Sequence, residues 1–130
     1  MDKYVLDASA WIEYLDGTEI GKEVVKLAES DAELHTNIVS ITEIIAVAKK
    51  KEKDISIAFN SVTSLSKIFL IDEVFAKEAG ELYADQKKKT KNISYGDIFV
   101  LLTAKRLNAK IVTKDPDFKG MKNVIFIGKN

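Results

Sequence analysis

Four carboxylates, Asp7, Glu43, Asp97 and Asp115, stand in this 130-residue chain where acid or metal chemistry would be workable. They occur in Asp7-Ala8-Ser9, Ser40-Ile41-Thr42-Glu43, Ser94-Tyr95-Gly96-Asp97 and Thr113-Lys114-Asp115, each with a hydroxyl close by. Each also has a purely structural reading. Asp7 and Asp115 suit helix N-caps, and the segments ending in Glu43 and Asp97 fit the capping-box pattern. Capping explains the four singly better than together, because carboxylates gathered at one place repel one another and gain only partly from helix dipoles. A divalent cation would relieve that repulsion. With no Cys and with His35 as the lone histidine, the chain has no thiolate nucleophile, disulfide or histidine-based metal cluster, so a metal must be held by oxygen. Mg²⁺ or Mn²⁺ suits such a donor set. The chemistry that follows is phosphodiester hydrolysis, in which the metal acidifies a bound water and offsets charge on the phosphate oxygens.

The elements that must position these groups alternate between the two hydrophobic periods. Lys3-Tyr4-Val5-Leu6 predicts a strand ending at Asp7, and Ala10 to Leu15 a short helix closed near Gly17. Ile20, Val24, Leu27 and Ala28 recur at helical spacing, and Glu33 to Asn37 reads as a strand. Two helices follow, one carrying Ile41, Ile44, Ile45 and Ala48, the other Ile55, Phe59, Val62 and Leu65 behind an Asp54 cap. The run Ile68-Phe69-Leu70-Ile71 predicts a buried parallel strand, followed by a helix with Phe75, Ala79, Leu82 and Tyr83 on one face. Ser94 opens a helix that is apolar nearly all round, and strands are expected at 109–113 and 124–127. Such alternation predicts an α/β fold: a three-layer α/β/α sandwich on a mainly parallel sheet of about five strands, joined by right-handed crossovers. Ligands bind such sheets at the carboxyl ends of the strands. All four acids fall at that edge, Asp7 and Asp115 after strands and Glu43 and Asp97 in the opening turns of helices.

Length and a hydrophobic content of 46% predict one domain spanning residues 1–130. No apolar run approaches the roughly 18 residues needed to cross a bilayer, and Met1-Asp2-Lys3-Tyr4 does not open a signal peptide, so a soluble cytoplasmic protein without membrane association is expected. Twenty basic residues balance twenty acidic ones, which removes the globally basic surface usual in nucleic-acid binders. Arg106 is the sole arginine, which disfavours duplex reading by bidentate forks.

The segments Val5-Leu6-Asp7-Ala8-Ser9, Ile41-Thr42-Glu43-Ile44, Tyr95-Gly96-Asp97-Ile98 and Val112-Thr113-Lys114-Asp115-Pro116-Asp117-Phe118 resemble, in order and spacing, the successive motifs of PIN domains, especially the VapC-type toxins. The resemblance spans almost the whole chain. It implies a metal-dependent endoribonuclease in which Asp7, Glu43, Asp97 and Asp115 are the catalytic, metal-binding acids and Ser9 and Thr113 support them. It further implies one or two Mg²⁺ or Mn²⁺ ions, an RNA substrate, a homodimer and a cognate antitoxin partner. Asp117 is a fifth acid within reach, read here as a loop-capping or outer residue.

Two other readings compete. A PIN-like module could bind RNA or protein without cutting, although keeping all four acids argues for catalysis. An aspartate phosphotransfer protein is suggested by Asp7, Asp72 and Thr113-Lys114, but Asp7 has no adjacent carboxylate and Asp72 reads as an N-cap. The lysine runs Lys49-Lys50-Lys51 with Lys53 and Lys87-Lys88-Lys89 with Lys91 fit solvated helix C-termini better than an RNA surface. Trp11, Tyr14 and Tyr95 are expected to be buried or in partner contact rather than stacked on bases, and His35 to be a strand residue. Surplus apolar helix faces predict a homodimer joined away from the acidic edge.

Overall fold

A computed structural model describes residues 2–128. Strands β1 (Lys3–Leu6), β2 (Glu33–Asn37), β3 (Lys67–Phe69), β4 (Lys110–Thr113) and β5 (Val124–Phe126) form one sheet in the order β3-β2-β1-β4-β5, with every pair parallel. Helices α1 (Ala8–Leu15), α2 (Gly21–Glu29), α3 (Ile38–Lys50), α4 (Ile55–Leu65), α5 (Glu73–Lys87) and α6 (Tyr95–Leu107) supply the crossovers. Period-two alternation sends neighbouring strand residues to opposite faces, which makes three layers. Leu6, Leu34 and Val112 meet Ala10, Trp11, Val24, Ile44 and Val62 from the first four helices. Val5 and Ile111 meet Val100 and Ala104 of α6 on the other face, and α5 packs Phe75 and Ala79 against Ile98 and Leu102 of the same helix.

Polar groups inside are paired. Trp11 donates its indole N–H to Thr36 at 2.9 Å, Thr36 meets the Ser66 hydroxyl at 2.7 Å, and the Asn37 amide donates to Thr103 at 2.9 Å. His35 is buried in β2 with Nε2 2.6 Å from Glu33, whose other oxygen takes Lys67 of β3 at 3.0 Å, so it belongs to the strand and not to the acidic edge. Arg106 bridges α6 to Glu78 of α5 at 2.9 Å and lies over the Phe75 ring, which commits the sole arginine to packing.

Three expectations change. The 68–71 run does not make a buried strand: pairing stops at Phe69, β3 is an edge strand, and Leu70 is 72% exposed. A continuous apolar run signals burial on both faces, but position in the sheet is not encoded in the run. Helix α3 starts at Ile38 under an Asn37 cap, so Ser40 is a buried residue inside the helix and Ser40–Glu43 is not a capping box. The Asn37 side chain accepts from Val39 N at 2.8 Å and thereby starts the helix three residues early. Finally, α1 begins directly after Asp7, at Ala8.

Candidate functional site

The carboxyl ends of β1 and β4 lie side by side, and their first residues outside the sheet are laced together. Asp7 Oδ1 accepts the Ser9 hydroxyl at 2.7 Å and the Ala10 N–H at 3.0 Å, and Oδ2 accepts the Thr113 hydroxyl in a short bond. Thr113 Oγ1 in turn accepts the Asp115 N–H and Ser9 Oγ the Lys114 N–H, each at 2.9 Å. The two hydroxyls therefore clamp the β4 exit onto the start of α1. Asp7 is only 6% exposed and Thr113 is fully buried.

Asp97 comes from the first turn of α6, where it forms a capping box with Ser94: its Oδ2 accepts Ser94 N–H at 3.0 Å while Asp97 N–H donates to Ser94 Oγ at 3.1 Å. Asp115 caps the short 3-10 turn Pro116–Phe118, its Oδ1 accepting Asp117 N–H at 2.9 Å. Each cap uses one oxygen. Among the described residues, Asp97 Oδ1, Asp115 Oδ2 and both carboxylate oxygens of Asp117 and Glu43 accept no hydrogen bond. One oxygen each from Asp97, Asp115 and Asp117 lies within 4.8 Å of the others.

Glu43 enters from the second turn of α3 and caps nothing. Its carboxylate lies against Gly96, where an added Cβ would stand 2.8 Å from Oε2. The glycine before Asp97 thus admits the Glu43 head group to the mouth of α6. Replacing Gly96 with alanine should hold or raise stability, by up to about 1 kcal/mol from helix propensity, since only a flexible side-chain tip must move. It should also displace Glu43, so urea unfolding would be unchanged or improved while activity at the acidic edge falls.

Proximity and burial shift the acids in one direction. Asp97 is pushed up from 3.8 to about 6, first by burial, with Asp115 and Asp117 adding like charge against its hydrogen bonds from Ser94. Glu43 is raised by burial and then by Asp97, Asp7 and Asp115; although its residue surface is exposed, its carboxyl sits among these groups. Asp7 is raised by burial, against the bonds from Thr113, Ser9 and Ala10. Beside the cluster, the Lys114 ammonium holds Glu13 at 3.0 Å, and Glu13 lies below its usual value, chiefly through the Thr18 hydroxyl and then Lys114.

These carboxyls bind protons more tightly folded than unfolded. Their contribution to stability is complete below pH 3.8 for Asp97 and is lost as pH rises through about 6. Glu13 and Glu33, both lowered, act oppositely and lose their contribution as pH falls below 4.5. Metal-free protein should therefore melt higher at about pH 5 than at pH 7. Added Mg²⁺ or Mn²⁺ should reverse the order, because ionised ligands bind better and binding stabilises by mass action. Equal melting temperatures at both pH values, with and without metal, would exclude a strained acidic cluster.

An all-oxygen set of crowded, partly unpartnered carboxylates fits a hard divalent cation of the magnesium or manganese type. Residues 4–124 match the PIN domain family. The chain belongs to that family. No curated protein matches it. Among solved structures, the PIN domain is similar to the VapBC2 complex of Rickettsia felis bound to a promoter DNA fragment, with 17% identity, 97% of this chain and 99% of that one covered, and a TM-score of 0.76. It is also similar to VapC20 of Mycobacterium tuberculosis, a toxin cleaving the sarcin-ricin loop, with 13% identity, 93% and 96% covered, and a TM-score of 0.75. A toxin-antitoxin complex from Klebsiella pneumoniae gives 19% identity, 94% and 95% covered, and a TM-score of 0.71.

The PIN domain thus gathers Asp97, Asp115 and Asp117 most tightly, and places Asp7 and Glu43 at the border of the group. Asp117, expected as an outer residue, stands in the central trio. The Asp-x-Asp spacing was the available signal, since a 3-10 turn started by Pro116 turns both carboxylates back toward α6. Asp72 serves as the α5 cap, accepting Phe75 N–H at 2.9 Å, two strands away from Asp7 in the sheet order. Trp11 is buried and Tyr14 half-buried, whereas Tyr95 is exposed in the single chain, so of the expected burial or partner contact only burial is overturned for it.

Proposed function

We propose that this PIN domain is a divalent-metal-dependent endoribonuclease and the toxin of a VapC-type toxin-antitoxin pair. The observation that carries the reading is the trio Asp97, Asp115 and Asp117, whose oxygens converge within 4.8 Å and include several that accept no hydrogen bond from the described residues. Capping engages one oxygen each of Asp97 and Asp115 and does not account for three carboxylates meeting at one place. Asp97, Asp115 and Asp117, with Glu43 and Asp7 beside them, would hold one or two Mg²⁺ or Mn²⁺ ions, which acidify a water and screen the charge of a scissile phosphate. Ser9 and Thr113 keep the Asp7 carboxyl and the Asp115 backbone in fixed relation, which limits reorganisation at the site. The test is cleavage of labelled RNA by protein purified free of contaminating nuclease. Fragments should form with Mg²⁺ or Mn²⁺ and stop with EDTA; intact RNA under all metal conditions would leave a binding module instead.

An antitoxin partner is supported by the toxin-antitoxin complexes among the structural neighbours. The product of an adjacent reading frame should co-purify with this chain. A homodimer is supported by apolar side chains left in solvent on α4 and around the β3–α5 connection, Ile57, Phe59, Leu70 and Val74. Light scattering should give twice 14.5 kDa, and a single 14.5 kDa species at every concentration would refute the dimer. None of the described helices is long and apolar enough to cross a membrane.

A further inference from the structure

Tyr95 opens α6 two residues before Asp97, and it is 59% exposed. Its ring is stacked on Tyr83 of α5, with centroids 4.1 Å apart and planes at 18°. One face is thus held and the other is open. The stack is braced by Lys87, one turn beyond Tyr83, whose Nζ lies 5.7 Å from the Tyr83 centroid and donates to the Ile93 carbonyl at 3.3 Å. That bond ties the end of α5 to the segment entering α6, which limits the freedom of both rings.

Successive helical residues point about 100° apart and rise about 1.5 Å each. Gly96 faces Glu43, Asp97 joins Asp115 and Asp117, and Tyr95 lies on the other side of the helix mouth, over α5. The two functions are separated by about 3 Å along the axis. Lys88, Lys89 and Lys91, all exposed and in no ion pair among the described residues, lead into this position. A cationic segment beside an exposed, immobilised aromatic is the combination that grips unpaired nucleic acid.

We propose that the open face of Tyr95, held by Tyr83 and flanked by Lys88, Lys89 and Lys91, is a stacking subsite for an unpaired base of the RNA strand at the acidic cluster. The inference rests on the ribonuclease reading and adds a base-contacting residue to it. A base inside a duplex has no free face to offer, so single-stranded or looped RNA is selected over duplex. In this proposal one strand crosses the mouth of α6, with a phosphate at the trio and a neighbouring base on Tyr95. A protein partner is the competing occupant of an exposed tyrosine; the adjacent lysines favour RNA.

The test uses the full chain without metal and a short single-stranded RNA carrying 2-aminopurine, read by anisotropy and by the quenching that stacking causes. Tyr95→Ala and Tyr95→Leu should bind roughly 5- to 100-fold more weakly and lose the quenching, while Tyr95→Phe keeps both. Leucine retains apolar cover on Tyr83, so a loss shared by both variants, with parental urea midpoints for the leucine variant, reports stacking and not unfolding. Lys89→Ala should lower the slope of log affinity against log salt by about 0.7. Equal binding by parent and Tyr95→Leu overturns the subsite, as does a change of mass in light scattering without any change in RNA binding. Failure of the ribonuclease reading is distinct: the parent then cuts no RNA under any metal condition, whether or not it binds it, whereas a parent that cuts alongside an unaffected Tyr95→Leu removes the subsite alone.

Discussion

Asp97→Asn is expected to nearly abolish metal-dependent RNA cleavage while leaving the metal-free protein as stable as the parent or more so. Asparagine keeps a carbonyl oxygen for the Ser94 N–H, so at most the roughly 0.5–2 kcal/mol of a lost cap is at risk. Against this stands the removal of a charge that burial and the neighbouring Asp115 and Asp117 disfavour strongly enough to push its pKa to about 6. Losing a group of the proposed metal site should reduce cleavage by more than the roughly 10–100-fold typical of outer partners. Activity and metal-free stability thus move in opposite directions. The measurements are labelled-RNA cleavage with Mn²⁺ or Mg²⁺ and urea unfolding in EDTA. A variant that is destabilised yet cleaves at the parental rate would reduce Asp97 to a helix cap.

Thr113→Val should lower both stability and activity, because this side chain is fully buried and its hydroxyl has two close partners besides the Ser9 hydroxyl at 3.4 Å. It donates to Asp7 Oδ2 and accepts the Asp115 N–H at 2.9 Å. Valine fills nearly the same space but leaves a buried carboxylate oxygen and a backbone donor unpaired, a cost of roughly 1–3 kcal/mol. Without the Thr113 hydrogen bond that holds it down, the pKa of Asp7 should rise further above its ordinary value, and the Asp115 turn should loosen from β1. Cleavage is expected to fall roughly 10–100-fold, as for an outer partner of a metal ligand. Thr113→Ser, which restores the hydroxyl, should recover most of the activity. A valine variant with parental cleavage would show that the clamp does not position the acids. Asp7→Asn differs from Asp97→Asn for the same reason: three donors converge on Asp7, and an amide nitrogen facing the Thr113 hydroxyl forfeits one of them, so stability should drop together with activity.

The βα alternation, the parallel sheet and the placement of acids after strands β1 and β4 were legible in the chain because they depend on local periodicity and turn chemistry. Val5-Leu6 and Ile111-Val112 split between two faces as period two requires, and Ser94 with Asp97 forms the capping box that their spacing specifies. What pattern alone misjudged were quantities set by neighbours. Leu70 reads as core but is exposed, because only tertiary assembly decides which strand lies at the sheet edge. Glu43 reads as a capping-box acid but is freed from capping, because Asn37 starts α3 earlier and Gly96 of another helix makes room for its head group. Residue type and spacing determined that this protein carries a set of acids at one edge. The packing of α6 against the β4 exit decided that Asp97, Asp115 and Asp117 form its centre, since distances between segments far apart in sequence depend on how the layers pack. The same packing left Tyr95 with one face on Tyr83 and one in solvent, a property of two helices meeting that neither helix's sequence contains.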